Sequence, residues 1–289
     1  MTLTAATTRT ITAPGATLTY DVRPGTGTDI PLVLIGSPMG ASGFATLASH
    51  FPDRTIITYD PRGAERSTKD DPSSPSSPEM HADDLHRIID AVGAPVDLFA
   101  SSGGAVNALA LVTAHPGDVR TLVAHEPPLA TILPDAENAK AAVRAIQRSY
   151  QAGGFGAGMA HFMAITGHRG PFPDDIGEQP APDPSAFGLP AEDDGSRTDV
   201  MLAQNIIGTT HYEPDFEALR RAPTRIVAAA GSESEGEMAN RGGHAVAERL
   251  GQQPAIFPSH HGGFLGGEYG WGGEPDAFAA RLREVLEAG

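Results

Sequence analysis

Ser102 stands where a hydroxyl could be turned into a nucleophile. Residues 96–100 (Val-Asp-Leu-Phe-Ala) read as an apolar strand, four tiny residues follow, and 105–115 read as a helix that Pro116 ends. A strand that turns sharply into a helix with a serine at its apex has the geometry of a nucleophile elbow. Bulky side chains two positions from the apex would collide, and here those places hold Ala100 and Gly104. The Gly103 N–H falls at a helix start, where it would face an oxyanion on the attacked carbonyl. A Gly/Ser-rich strand-to-helix turn also cradles phosphates, so the elbow does not decide the chemistry alone.

A serine hydroxyl is a poor nucleophile unless a histidine takes its proton, and the histidine needs a carboxylate to hold it. Alternating strand–helix chains bind ligands at the carboxyl ends of their strands. Reactive residues stand at those ends. Glu126 follows the strand at 119–124, Glu233 and Glu235 follow that at 225–230, and His260 and His261 follow that at 255–258. Serine, acid and histidine come in the chain order expected for a strand–turn–helix elbow. Ser101 would point away from the histidine, and His125 reads as a packed neighbour. The second oxyanion donor falls to the Ser37 N–H in the loop after the strand at 31–35. Pro38 has no N–H to give, and Met39 is the substitute if that loop is shifted. Adjacent side chains diverge, so His260 and His261 make a poor metal pair.

These residues need a frame to hold them. Short strands at 9–12 and 16–22 flank a Pro-Gly turn, and continuous apolar runs at 31–35, 55–59, 96–100 and 119–124 read as strands buried on both faces. Helical spacing covers 44–50, 78–92, 236–250 and 275–288, and a Pro/Ser-rich loop covers 71–77. The expected fold is α/β, with a mostly parallel sheet, helices on both faces and a helical cap inserted after the sixth strand. Residues 1–128 and 221–289 form the core and 129–220 the cap. Within the cap, helices are expected at 137–150, 159–166 and 197–207, separated by a Gly-rich stretch (153–158) and a Pro/Asp/Gly-rich segment (170–195). That segment is either a gate or a wall. Met159, Phe162, Met163, Met201 and Ile206 of the cap, with Met39, are the candidate substrate wall.

Over most of its length the chain resembles an α/β-hydrolase fold enzyme. The resemblance rests on the elbow at Ser102, the loop Gly36-Ser37-Pro38, the run Tyr59-Asp60-Pro61-Arg62-Gly63, and the terminal histidine before Gly262-Gly263-Phe264. Within that superfamily, Ser101-Ser102-Gly103 with His125-Glu126-Pro127 resembles the zearalenone-lactonase-like group, which takes its acid after the strand that follows the elbow. The resemblance thus implies a triad of Ser102, His261 and Glu126; Glu233 or Glu235 is the alternative acid, and the plainer reading of that cluster is an acidic helix start that complements the dipole. The cap departs from that group, since the only tryptophan is Trp271.

Composition removes other classes. There are no cysteines, which excludes disulfides and thiolate sites. A formal net charge of −16 argues against nucleic acid and anionic membranes as partners. The N-terminus lacks a basic, apolar leader, so a cytoplasmic protein is expected, and the use of Arg far above Lys (only Lys69 and Lys140 occur) points to a GC-rich bacterial genome. The expected activity is hydrolysis of an ester or lactone in a hydrophobic small molecule, with no cofactor or metal, and a homodimer is a possible assembly. An amide or C–C hydrolase with the same triad, or a non-catalytic receptor on the same fold, are the alternatives.

Overall fold

A computed structural model describes residues 4–27 and 30–288. Nine strands form one sheet: β1 (Thr7–Ala13), β2 (Ala16–Arg23), β3 (Leu32–Ile35), β4 (Ile56–Tyr59), β5 (Thr68–Lys69), β6 (Val96–Ser101), β7 (Val119–His125), β8 (Arg225–Gly231) and β9 (Ala255–Phe257). The order across the sheet is β1-β2-β4-β3-β6-β7-β8-β9, with the two-residue β5 paired to β2. The pairs from β4 to β9 are parallel, while β2 pairs antiparallel with β1, β4 and β5. The apolar runs at β3, β4 and β6 are buried along their whole length, as strands covered on both faces must be.

The helices are α1 (Ala45–Ser49), α2 (Pro78–Val92), α3 (Gly103–Ala114), α4 (Ala136–Thr166), α5 (Ile206–Thr210), α6 (Phe216–Arg221), α7 (Met238–Arg249) and α8 (Pro275–Glu287). Residues of α2, α3, α6 and α7 close one face of the sheet. Residues of α1 and α8 close the other, where Phe44, Phe99, Phe264 and Phe278 pack their rings together. The start of α2 is set locally: the Ser77 side chain accepts from the Met80 N–H and Pro78 takes the first position, where a missing N–H costs nothing.

The sheet and its flanking helices follow the expected alternation. The insertion lies between β7 and β8, which makes it follow the seventh strand in the chain, because β5 adds a short strand that its two residues did not announce. Three segments of the insertion differ from expectation. The helices expected at 137–150 and 159–166 are both present within α4 and meet at a kink at Gly153 and Gly154, but the second starts directly after the kink and takes in the rest of the Gly-rich stretch. The Gly-rich stretch is therefore mostly helical. Its glycines answer to close packing: a Cβ on Gly158 would lie 2.7 Å from that of Tyr150. Residues 197–207 are not one helix either. Asp199 caps a π-turn over Val200–Asn205 that then passes into α5. The α6 helix was not foreseen, and Asp215 caps its start.

Two arginines tie the insertion to the core. Arg241 of α7 bonds the Asp135 carboxylate and the Gly170 carbonyl, and Arg169 donates to the Glu233 and Glu235 carbonyls. The 170–195 segment carries two short turns, at Ile176–Glu178 and Pro184–Phe187. Ile176 and Phe172 sink into the insertion's own core beside α4.

Candidate active site

Strands β6 and β7 run in register, with Ser101 opposite His125. Ser102 and Glu126, one residue further on, leave the sheet side by side. Both have positive φ, a half of backbone space that residues other than glycine seldom enter, Ser102 at φ 57°, ψ −127° and Glu126 at φ 49°. Such conformations cost roughly 1–3 kcal/mol each and persist where the surroundings over-determine them. Here the Ser102 N–H is held by the His125 carbonyl at 2.9 Å and the Glu126 N–H by the Ala229 carbonyl at 3.0 Å.

The elbow packs tightly against the loop after β3. A Cβ on Gly104 would lie 2.8 Å from the Gly36 Cα, and one on Gly103 would lie 2.6 Å from the Ser37 carbonyl oxygen. Only hydrogen fits at either place, which brings the two loops edge to edge. Gly103 opens α3, and among the described residues neither its N–H nor that of Ser37 donates to an acceptor in the chain.

His261 donates or shares a proton with Glu126: Nδ1 lies 2.6 Å from Oε2. The other carboxylate oxygen, Oε1, accepts from the Gly231 N–H at 2.8 Å, the Ser234 hydroxyl at 2.5 Å and the Asn240 amide at 3.1 Å. Glu126, Ser234 and Asn240 are all buried. Burial alone would raise the Glu126 pKa; the His261 bond, the two neighbouring imidazoles and the Ser234 hydroxyl outweigh it and leave the carboxyl well below its usual range. For His261, burial pushes the pKa down, but the Glu126 bond and charge, with Glu237 adding to them, hold it above its ordinary value. The loop that carries His261 is anchored by Phe264, stacked 5.3 Å from Phe44 in the core.

Of the other triad candidates, only His260 borders the cavity described below. Ser101 points beneath the elbow, with its hydroxyl 3.2 Å from His125 Nδ1. His125 is wholly buried among Phe99, Phe257 and Phe278, and burial takes its pKa down to about 4. His260 accepts the Gly262 N–H and meets the Gly272 carbonyl. Glu233 and Glu235 are exposed, and the Glu233 carboxylate bonds only the Ser259 hydroxyl among the described residues.

A cavity of about 430 Å³ opens between this end of the sheet and the insertion. Ser102, Gly103, Ser37 and His261 border it, as do Phe162, Met163, Met201 and Ile206 from the expected wall. Met39 and Met159 do not. Met39 folds under its loop, against the core around Phe44, and Met159 packs within the insertion. Wall residues that escaped the sequence include Trp271, from the loop before α8, and Glu237 and Met238 at the start of α7. Ser234 and Asn240 escaped it too, since nothing local marks a serine or asparagine that will meet a carboxylate over 100 residues away. The one group of described residues with metal-ligand character, His86, His115 and Asp118, brings its ligand atoms within 4.8 Å of one another. It lies at the opposite end of β7 from Glu126 and takes no part in this site.

No family model matches the chain. It is 30% identical over 288 residues to the uncharacterized hydrolase YraK of Bacillus subtilis (strain 168), covering 96% of this chain and 95% of that one. Its fold is shared with a thermophilic esterase from Thermogutta terrifontis at a TM-score of 0.65 and 18% identity, covering 98% of each chain. It is shared also with an N-acyl homoserine lactonase solved with N-hexanoyl homoserine, at 0.57 and 17% over 97% of each. The chain belongs to the same family as that Bacillus hydrolase and is a hydrolase, and its fold is that of the α/β hydrolases. Among the described residues no helix is long and apolar enough to cross a membrane.

Proposed function

We propose that the protein is a serine hydrolase that opens an ester or lactone bond in a hydrophobic small molecule through an acyl-enzyme. The observation that carries this reading is the 2.6 Å bond between His261 and Glu126, with His261 and Ser102 on the wall of one cavity. His261 Nε2 takes the hydroxyl proton as Ser102 Oγ attacks the carbonyl carbon. Glu126 fixes the proton on Nδ1 and stabilises the imidazolium. The Gly103 and Ser37 N–H groups receive the oxyanion; one such donor is worth roughly 100- to 1000-fold in rate. Collapse of the tetrahedral adduct breaks the bond to the alkoxide, which takes the proton from His261. Water, activated by the same imidazole, then releases the acid and restores Ser102.

The mostly apolar wall suits a small hydrophobic acyl or alcohol group. The acid's place after β7 is that of the zearalenone-lactonase-like group, which favours including lactones. The test is intact mass after exposure to a fluorophosphonate, with peptide mapping, alongside turnover of p-nitrophenyl esters. One adduct on Ser102, absent in Ser102→Ala together with turnover, supports the reading. A folded protein that gains no adduct and hydrolyses no activated ester overturns it in favour of a receptor.

A further inference from the structure

Most polar side chains on the cavity wall are already committed to the chain. Thr166 and Thr210 donate to the Phe162 and Ile206 carbonyls, and Asn205 pairs with His81 and the Val200 carbonyl. Glu237 is different. It is the only carboxylate among the lining residues, and no lysine or arginine lines the cavity with it. Its Oε1 accepts from Arg169 Nη2 at 3.2 Å, and its second oxygen takes no hydrogen bond among the described residues. The arginine is a weak counter-charge, because its side chain is 57% exposed against 24% for the glutamate, and its other bonds go to the Glu233 and Glu235 carbonyls. A carboxylate at a helix start ordinarily faces its own N–H groups, yet Glu237 makes no side-chain cap bond to α7.

We propose that Glu237 is the charge selector of this cavity. It admits neutral and cationic substrates and turns away those whose acyl or alcohol part carries a carboxylate. This rests on the serine-hydrolase reading and adds the substrate class. The magnitude follows from Coulomb's law: at an effective dielectric near 20, like charges roughly 6 to 8 Å apart repel by an amount worth about 30- to 100-fold in binding. The partial counter-charge of Arg169 lowers that towards about 10-fold. The repulsion acts at close range, so salt that screens the chain's overall negative field leaves much of it in place.

The experiment compares p-nitrophenyl pentanoate with its ω-carboxylate and ω-ammonium analogues at pH 8 and 0.3 M salt. It uses wild type, Glu237→Gln, and Glu192→Gln as an exposed control. In wild type the ammonium ester is expected to exceed the carboxylate ester in kcat/KM by about 10-fold or more. That ratio collapses towards unity in Glu237→Gln and holds in Glu192→Gln. An unchanged ratio in Glu237→Gln, or an equal collapse in the control, overturns the proposal. Binding is read separately, by displacing neutral N-phenyl-1-naphthylamine from Ser102→Ala with hexanamide or hexanoate, with and without Glu237→Gln. If no ester turns over and Ser102 takes no fluorophosphonate, the hydrolase reading fails alone, and the displacement ratio still decides the selector.

Discussion

Replacing Glu126 by glutamine is expected to disable the site through a proton on the wrong nitrogen. The amide has one oxygen where the carboxylate has two, and the surroundings choose where it goes. Oε1 faces the Gly231 N–H at 2.8 Å and the Asn240 Nδ2 at 3.1 Å, and Asn240 is itself held by the Gly231 carbonyl at 2.9 Å. Turning the new NH₂ towards them would leave the buried Gly231 N–H unpaired, at about 1–3 kcal/mol, while Asn240 keeps the Gly231 carbonyl and Ser234 Oγ. The glutamine oxygen therefore takes the Oε1 place with a bias of roughly 1–3 kcal/mol, and its NH₂ faces His261 Nδ1. The imidazole must then accept there and carry its proton on Nε2, where it cannot receive one from Ser102. Such an acid-to-amide exchange in a serine triad costs roughly 10⁴-fold in kcat. The assay is fluorophosphonate labelling rate and ester kcat at pH 8, with near-UV circular dichroism to verify the fold. Glu233→Gln is expected within about twofold of wild type, as exposed carboxylates contribute little. A Glu126→Gln variant within tenfold of wild type, or a larger loss in Glu233→Gln, would refute the reasoning. In wild type the rising limb of kcat/KM should lie above pH 6.5, because Glu126 holds the His261 pKa up and the base must be neutral to act.

Two further outcomes concern stability. Arg62 makes a two-pronged bond to Asp84, at 2.7 and 2.6 Å, with both side chains out of solvent. Arg62→Met should cost about 3–5 kcal/mol by stranding a buried carboxylate, and adding Asp84→Leu should return most of it; urea midpoints with a constant slope measure both. The second outcome follows from His125, buried with a pKa lowered from 6.5 to about 4. The unfolded chain protonates this side chain below about pH 6.5, while the folded one does so only near 4. Its contribution is therefore present above 6.5 and falls away as pH drops towards 4, by roughly 3 kcal/mol. Thermal melts should steepen over that window in wild type and flatten in His125→Phe; equal slopes would remove His125 as the cause.

The elbow was legible because its demands are local. Small residues two places either side of Ser102 are a requirement that five consecutive letters can display. The acid was not legible in the same way, since Glu126, Glu233 and Glu235 all follow strands. Only the resemblance pointed to the first, and the register of Ser101 opposite His125 gives the physical reason that it can reach. Trp271 and Ser234 sit in loops and Asn240 in the first turn of α7, each aimed by contacts far along the chain, which no window of sequence contains. The stretch at 153–158 misled for an opposite reason. Gly156 and Gly158 there signal close packing inside a helix, and only Gly153 and Gly154, at the kink, leave helical backbone space. Met39 belongs to a loop with apolar cover on one side and a cavity on the other, and its sequence does not say which side it takes.

The two backbone outliers at the ends of neighbouring strands have a consequence for how this molecule could change over time. Ser102 and Glu126 hold positive-φ conformations that glycine would adopt with less strain. Selection for thermal robustness alone would therefore push substitutions into positions of this kind, these two among them. A screen of random variants for heat tolerance, with no demand on turnover, should enrich Glu126→Gly where the loss of the buried charge is tolerated. Persistence of glutamate there through such a screen would mean that its bonds to Gly231, Ser234, Asn240 and His261 outweigh the strain, and that fold and chemistry favour the same residue.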